Sequence, residues 1–189
     1  MIGRLSIFLV LVLFSQSAWG VTDPRSDVIG VYFDEFGDQI CEDTFLIGLP
    51  FSVWIVYTNP SVTSILGYEL GYYTTSEFIQ LGLLPPCGLI WIVPMDLENL
   101  FVTCGSPNPT SQATPLLRID YLFMGYEDPD SIFYVEKARD SVLPGTNPYI
   151  ILADGSFMEA QAGIPAYTTL CCGLPTEILG WGSVKSLYR

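Results

Sequence analysis

The sequence predicts an all-β protein that folds as an antiparallel β-sandwich. Apolar and polar residues alternate along many short segments, and turn-forming residues separate these segments at intervals of roughly 8 to 12 residues. From the end of the amino-terminal twenty residues to Cys172, no segment keeps the apolar spacing of an amphipathic helix. Two sheets that each bury one face satisfy such a pattern. A closed β-barrel is the alternative architecture.

The clearest strand follows Pro115. Leu117, Ile119 and Tyr121 fall on one face of this strand, and Arg118 falls on the other. Similar strands are predicted at residues 28–33, 45–49, 51–58, 66–73, 78–81, 89–93, 100–104, 132–135, 149–153 and 156–160. Proline, glycine, asparagine and aspartate predict the intervening turns, at residues 58–60, 84–86, 105–109, 127–130, 144–148 and 153–156.

Residues 1–20 have the three parts of a secretory signal peptide. Arg4 gives a positive start, residues 5–14 are apolar, and small residues precede a cut after Gly20. An apolar run of about ten residues is shorter than the roughly 20 that a membrane-spanning helix needs. We therefore predict a signal peptide at 1–20, a β-sandwich domain at 21–173, and a linker with a short C-terminal tail at 174–189. The mature chain is expected to be secreted, or periplasmic in the cell envelope, without a membrane span.

Composition excludes several classes of function. The chain has 189 residues, of which 50% are hydrophobic, and this suits one globular domain with a substantial core. Twenty acidic and seven basic residues give a formal net charge of −13, which disfavours nucleic acids and anionic membrane surfaces as partners. The sequence contains no histidine, so Ser-His-Asp catalysis, Cys-His catalysis and histidine-ligated metals are excluded.

In an exported protein, the five cysteines are disulfide candidates before they are metal ligands. Cys87 and Cys104 bound two apolar runs that can fold back as a hairpin, so we predict a disulfide between them. Cys41 lies near the start of the domain, and Cys171 and Cys172 lie near its end. A bond from Cys41 to one of that adjacent pair would join the two ends of the domain, and one cysteine would stay free. The sequence does not decide which of the two takes part.

An acidic cluster near the start of the domain suggests a calcium site. Asp34, Asp38 and Asp43 supply carboxylate oxygens, which Ca²⁺ prefers as ligands. The EF-hand pattern fails because Phe36 stands where a ligand is needed. A solvated acidic loop is the preferred interpretation, and no other cofactor is expected.

Aromatic side chains suggest a second type of site. Tyr73 and Trp54 have the opposite parity from their apolar neighbours, so either ring can present a flat face to a sugar. Tyr68 and Tyr72 share parity with Leu70 and are expected in the core. Packing within the protein is the preferred interpretation for the aromatic residues as a group. Paired carboxylates of a glycoside hydrolase are a less favoured alternative, because any acid-rich chain contains such pairs.

Several segments resemble those of a known family. Residues 51–60, followed by the glycine, aromatic, acidic and aliphatic residues of 67–70, resemble the opening of cohesin-type and related carbohydrate-binding-module sandwiches. Residues 116–123 and 149–157 resemble a later strand and the late hairpin of those domains. The whole chain also resembles a group of uncharacterised secreted bacterial proteins. The resemblance implies an immunoglobulin-like, cohesin-like sandwich with a non-catalytic role, and it does not imply dockerin binding.

The sequence therefore predicts an exported, non-catalytic module that binds or supports an extracellular or envelope partner, either a protein or a glycan. A carbohydrate-binding module is the alternative function. The tail from Trp181 to Arg189 has apolar residues at helical spacing. About ten residues do not hold a helix alone in water. We expect this tail to dock on its own domain or to stay disordered, and recognition of a partner is the alternative.

Overall fold

The computed structural model describes residues 22–42, 46–87, 89–93, 97–124 and 131–168. These residues form thirteen strands and one short 3₁₀ turn, Leu97–Asn99. The strands are β1 (Val28–Tyr32), β2 (Cys41–Glu42), β3 (Pro50–Thr58), β4 (Ser64–Thr74), β5 (Ile79–Leu84), β6 (Leu89–Val93), β7 (Leu100–Pro109), β8 (Ala113–Leu122), β9 (Ile132–Glu136), β10 (Tyr149–Leu152), β11 (Phe157–Glu159), β12 (Gln161–Ala162) and β13 (Ala166–Thr168). The predicted signal peptide and C-terminal tail lie outside the described residues.

The strands form two open sheets. One sheet has the order β12-β1-β3-β8-β5. The other has the order β11-β10-β4-β9-β13-β2, and β7 pairs with β4 and carries β6. The all-β sandwich prediction is confirmed, and neither sheet of the described chain closes into a barrel. Pairing is mixed, however, because β1 runs parallel to β12 and β13 runs parallel to β2. The described part of the chain has no helix with the length and apolar character to cross a membrane.

One hydrophobic core lies between the two sheets. Val53 and Ile55 of β3 face Leu70 and Tyr72 of β4 across this core, and all four are at most 1% exposed. The alternating pattern in the sequence produces this arrangement, because successive side chains of a strand point to opposite faces. Burial of Tyr68 and Tyr72, expected from their parity, is confirmed.

A bulge in β8 links the two sheets through a hydrogen bond. Ile55 of β3 lies opposite Leu117, and Val56 lies opposite Pro115, so Leu116 has no residue opposite it. The carbonyl of Leu116 accepts a hydrogen bond of 2.9 Å from the Tyr68 hydroxyl of β4. This bond satisfies a buried polar group on each sheet.

Two local predictions are wrong. A strand was expected at 45–49, but Leu46 to Leu49 form a turn in which the Leu49 amide donates to the Leu46 carbonyl. Gly48 has a φ of +80°, which glycine adopts at little cost and a strand residue does not. A turn was expected at 105–109, but β7 continues to Pro109 and pairs with β4 there. The short strands β2, β12 and β13 were not predicted.

Candidate functional site

Exposed apolar side chains gather at one end of the five-stranded sheet. We call this group the apolar corner, and its members are Leu46, Ile47, Leu49, Ile79, Leu81 and Met124. Their exposed fractions range from 39% to 71%, which is high for large apolar residues. Exposed apolar residues that are concentrated in one region mark interaction sites more often than scattered single residues do. The apolar corner is therefore the first candidate for a binding surface.

Backbone pairing brings the three segments of the apolar corner together. Pro50 at the start of β3 and Ile79 at the start of β5 both lie opposite Leu122 at the end of β8. The Gly48 amide donates a hydrogen bond of 2.8 Å to the carbonyl of Phe123. The turn before β3, the end of β8 and the start of β5 are thus neighbours, although more than seventy residues separate the first from the second.

β5, which contributes Ile79 and Leu81 to the apolar corner, lies at the edge of the five-stranded sheet. Leu83 of β5 packs against the core, and so does Phe78, the residue just before β5. The Phe78 ring stacks on Phe133 with centroids 5.4 Å apart and meets Phe51 edge-on at 5.3 Å. The core therefore fixes the position of β5 from within, while Leu84 is 52% exposed.

Trp54 lies on the outer face of the five-stranded sheet, in a polar cluster. The guanidinium of Arg118 stands over the Trp54 ring, 5.6 Å from its centroid. Arg118 Nε donates to Asp120 Oδ1 at 2.7 Å and to Ser52 Oγ at 3.2 Å. Ser52 in turn donates to Asp120 at 2.7 Å. The face of Trp54 that carries Arg118 is engaged within the protein, so it is not open to a sugar ring.

Tyr73 lies on the outer face of the other sheet. Its ring stacks on Tyr134 of β9 with centroids 5.4 Å apart and an angle of 17° between the rings. The ring also lies over Gly71, because a Cβ at that position would be 2.8 Å from the Tyr73 ring. Burial, followed by the charge of Glu98, raises the pKa of Tyr73. Tyr73 and Trp54 therefore lie on opposite outer faces and do not share one platform.

The acidic cluster has only part of its geometry in the described chain. The amide of Asp38 donates to Asp34 Oδ1 at 3.0 Å, so Asp34 closes a local turn. Burial, followed by the charge of Asp34, raises the pKa of Asp38. Asp43 lies outside the described residues. Within the described chain, no three acidic, cysteine or histidine side chains are grouped as metal ligands. The calcium site stays a prediction.

The predicted disulfide between Cys87 and Cys104 is present, with the two Cα atoms 5.6 Å apart. It joins the start of the predicted hairpin to its end, because β6 pairs with β7 in antiparallel fashion. Cys41 also takes part in a disulfide bond. β13 places Tyr167 opposite Cys41, which brings the end of the described chain beside one of its first strands. Cys171 and Cys172 lie outside the described residues, so the choice between them stays open.

Sequence reasoning did not find the apolar corner. The apolar run before β3 was interpreted as a buried strand, and β5 as an ordinary strand, because hydrophobicity alone does not distinguish a core from an exposed surface. One signal was available. The six residues of β5 contain no charge and do not alternate strictly between polar and apolar, which is unusual for a strand with one face in water.

Solved structures similar to this chain include two cohesin modules. One is the cohesin module from a family 33 glycoside hydrolase of Clostridium perfringens ATCC13124, with a TM-score of 0.41, 8% identity, and coverage of 74% of this chain and 96% of that chain. The other is a type II cohesin domain from the cellulosome of Acetivibrio cellulolyticus, with a TM-score of 0.43, 12% identity, and coverage of 77% and 96%. Both are of the type that the sequence resembles. No family model and no curated protein matches the sequence.

Proposed function

We propose that this protein is an exported, non-catalytic binding module that holds an extracellular or envelope partner on the apolar corner. The observation that carries the proposal is the concentration of exposed large apolar side chains where three segments of the five-stranded sheet meet. Ile47 is 71% exposed and Leu81 is 55% exposed. Leaving such residues in water has a cost that a partner removes by covering them.

A non-catalytic role agrees with the state of the charged groups. The chain has no histidine. Among the carboxylates of the described residues, Asp23 is paired with Arg25 and Asp120 is paired with Arg118. Burial would raise the pKa of Asp23, but its hydrogen bonds to Arg25 outweigh burial and lower that pKa, so Asp23 is poorly suited to act as a general acid.

A glycan-binding role is the alternative, and it would depend on Tyr73 and Trp54. Carbohydrate-binding surfaces present one open aromatic face to each sugar ring. Here Arg118 stands over Trp54, and Tyr73 lies against Tyr134 and Gly71. The geometry therefore favours a protein partner over a glycan.

Export is tested by recovering the mature chain from outside the cytoplasm and sequencing its amino terminus. We expect the mature chain to begin at Val21, or within about two residues of it, because small residues precede that position. A chain that keeps Met1 and stays in the cytoplasm would contradict the proposal.

Partner binding is tested by photo-crosslinking in the producing cells. A photoreactive amino acid is placed at Ile47 in the apolar corner or, as a matched control, at Val142, which is 97% exposed in the loop between β9 and β10. We expect crosslinks to a discrete protein from Ile47 and none from Val142. Equal crosslinking at both positions, or none at Ile47, would contradict the proposed surface.

A further inference from the structure

β5 differs from most other terminal strands of the described sheets. β12 and β2 have two residues each and β11 has three, and short terminal strands of this kind protect sheet edges from unwanted pairing. β5 has six residues and, like the five-residue β6, pairs with one neighbour only. Its sequence from Ile79 to Leu84 contains no lysine, no other charged residue and no proline.

The backbone of β5 has pairing capacity beyond what β8 uses. β5 pairs with β8 along one edge, and a register shift between Gln80 and Gly82 leaves Leu81 without a residue opposite it on that side. Each strand residue offers one N–H and one C=O, and the outer groups of a terminal strand have no partner in their own sheet. A Cβ added at Gly82 would meet nothing within 4 Å, so the face of the sheet is open at this position.

From these features we infer that β5 accepts an extended segment of the partner as an additional strand of the five-stranded sheet. This inference rests on the proposed function and deepens it, because it names the form in which the partner binds. Main-chain hydrogen bonds to β5 supply the pairing, and the apolar corner receives side chains of the added strand. Such strand addition combines backbone affinity with side-chain specificity.

The charge of the molecule defines the chemistry of that segment. The formal net charge is −13. Next to β5, Glu77 is exposed, and the charge of Asp120 is offset by Arg118. An apolar surface within an acidic molecule is complementary to an extended apolar segment with lysine or arginine at its ends.

The same charge argues against a second copy of this chain as the occupant. The chain has twenty acidic and seven basic residues, so two copies of it repel one another. The inferred occupant is therefore a basic, apolar, extended peptide segment of another protein.

The test uses a defined peptide and the full mature chain. The probe is a fluorescein-labelled ten-residue peptide in which valine and threonine alternate over six residues, with two lysines at each end. We expect saturable binding by fluorescence anisotropy, and weaker binding as salt rises from about 0.05 M to about 0.5 M. A version with glutamate in place of lysine should bind at least about tenfold more weakly, since it carries the charge of the protein.

Backbone pairing is tested with a second version of the peptide that is methylated on alternate amide nitrogens. This peptide keeps its side chains and charge but loses the N–H groups of one edge, so we expect its affinity to fall about tenfold or more. Equal binding of the methylated and unmethylated peptides would overturn strand addition.

The position of the added strand is tested with two exposed substitutions on β5. Ile79→Ser combined with Leu81→Ser should weaken peptide binding about tenfold, because both side chains lie in the proposed contact. Val142→Ser is the matched control and should leave affinity unchanged. Equal affinities of the two variants would place any binding elsewhere and overturn the assignment to β5.

The remaining outcomes separate the inference from the proposed function. A dimer in sedimentation velocity that Leu81→Ser dissociates would show a second copy as the occupant and overturn the inferred partner. No peptide binding, together with crosslinking from Ile47 in cells, would overturn strand addition while the proposed function stands. No peptide binding and no crosslinking would overturn both.

Discussion

Asn59 holds the turn between β3 and β4 against the amino-terminal segment. Its φ is +49°, a left-handed conformation that asparagine tolerates better than most residues. Its side-chain amide donates to the carbonyls of Asp23 and Arg25, at 2.8 and 3.0 Å. Its backbone pairs with Asp27 and Gln112. One residue therefore supplies both the turn geometry and four hydrogen bonds between distant segments.

Replacing Asn59 separates these two contributions. Asn59→Gly keeps the backbone conformation but loses two side-chain hydrogen bonds, so the free energy of unfolding should fall by about 1 to 2 kcal/mol. Asn59→Ala adds the cost of a left-handed residue with a Cβ, about 1 kcal/mol more. Urea denaturation measures both. Equal stability of the alanine variant and the parent protein would contradict this role.

Two aspartates near the start of the described chain make the free energy of unfolding depend on pH in the acidic range. Burial alone would raise the pKa of Asp23 and of Asp27, but their hydrogen bonds outweigh it and both pKa values are lowered. Arg25 is the main partner of Asp23, while Ser61 and Tyr57 donate to Asp27. Because the folded pKa values lie below the ordinary value of 3.8, this stabilisation is fully present above that pH and disappears as the pH falls below it.

We expect urea midpoints to fall as the pH decreases from about 4 to about 2. The variant Asp23→Asn with Asp27→Asn should be less stable at pH 7 and should lose less on acidification, since it has fewer carboxylates to protonate. The same loss on acidification in the variant and the parent protein would show that other groups control the acid response.

At the scale of a strand, the close approach of the β7 backbone to β4 restricts which residue can stand at position 67. Gly67 lies between β7 and β10, opposite Thr103 on one side and Ile151 on the other. A Cβ at this position would be 2.1 Å from the carbonyl oxygen of Val102. Any side chain here must push β7 away from β4.

Gly67→Ala should therefore reduce the free energy of unfolding by about 3 kcal/mol, through displaced strands and weakened pairing. Gly82→Ala on β5 is the matched control, because its added Cβ meets nothing within 4 Å. We expect that control to be neutral or to stabilise by a few tenths of a kcal/mol, since alanine restricts the unfolded chain. Thermal and urea denaturation of the two variants give the comparison.

The hairpin of β6 and β7 is held by the Cys87–Cys104 disulfide, whose two residues are 17 positions apart. Cys87→Ala with Cys104→Ala should lower the free energy of unfolding by about 3 kcal/mol, because the unfolded chain regains the freedom of that loop. The double variant is preferable to a reducing agent, since Cys41 is also disulfide-bonded and would be reduced too. An unchanged urea midpoint would show that the bond contributes nothing to stability.

At the scale of the whole molecule, parallel strand pairs join the end of the described chain to its beginning. β12 lies beside β1, and β13 lies beside β2, so residues 161–168 return to residues 28–42. These pairings place the short strands β12 and β2 at two of the sheet edges. β5 is left at the edge of its sheet beside the apolar corner, and this is where we place the partner.

Alternation of side chains along the chain was sufficient to predict most of the longer strands, the sandwich and the burial of Tyr68 and Tyr72. Those features depend on residues close in sequence, because the period of a strand is local. The Cys87–Cys104 bond was also predictable, since a hairpin brings nearby residues together. The net charge disfavours nucleic-acid partners, and the absence of histidine excludes histidine-dependent catalysis, whatever fold the chain adopts.

Only the tertiary structure decided which apolar residues remain exposed. The runs that contain Ile47 and Leu81 have the composition of buried strands, and their exposure depends on which neighbours cover them. The same reason applies to Tyr73 and Trp54, which were candidates for glycan stacking, although packing within the protein was the preferred interpretation. Tyr134 stacks on Tyr73 and Arg118 stands over one face of Trp54, and both come from strands more than sixty residues away whose register is fixed by long-range pairing.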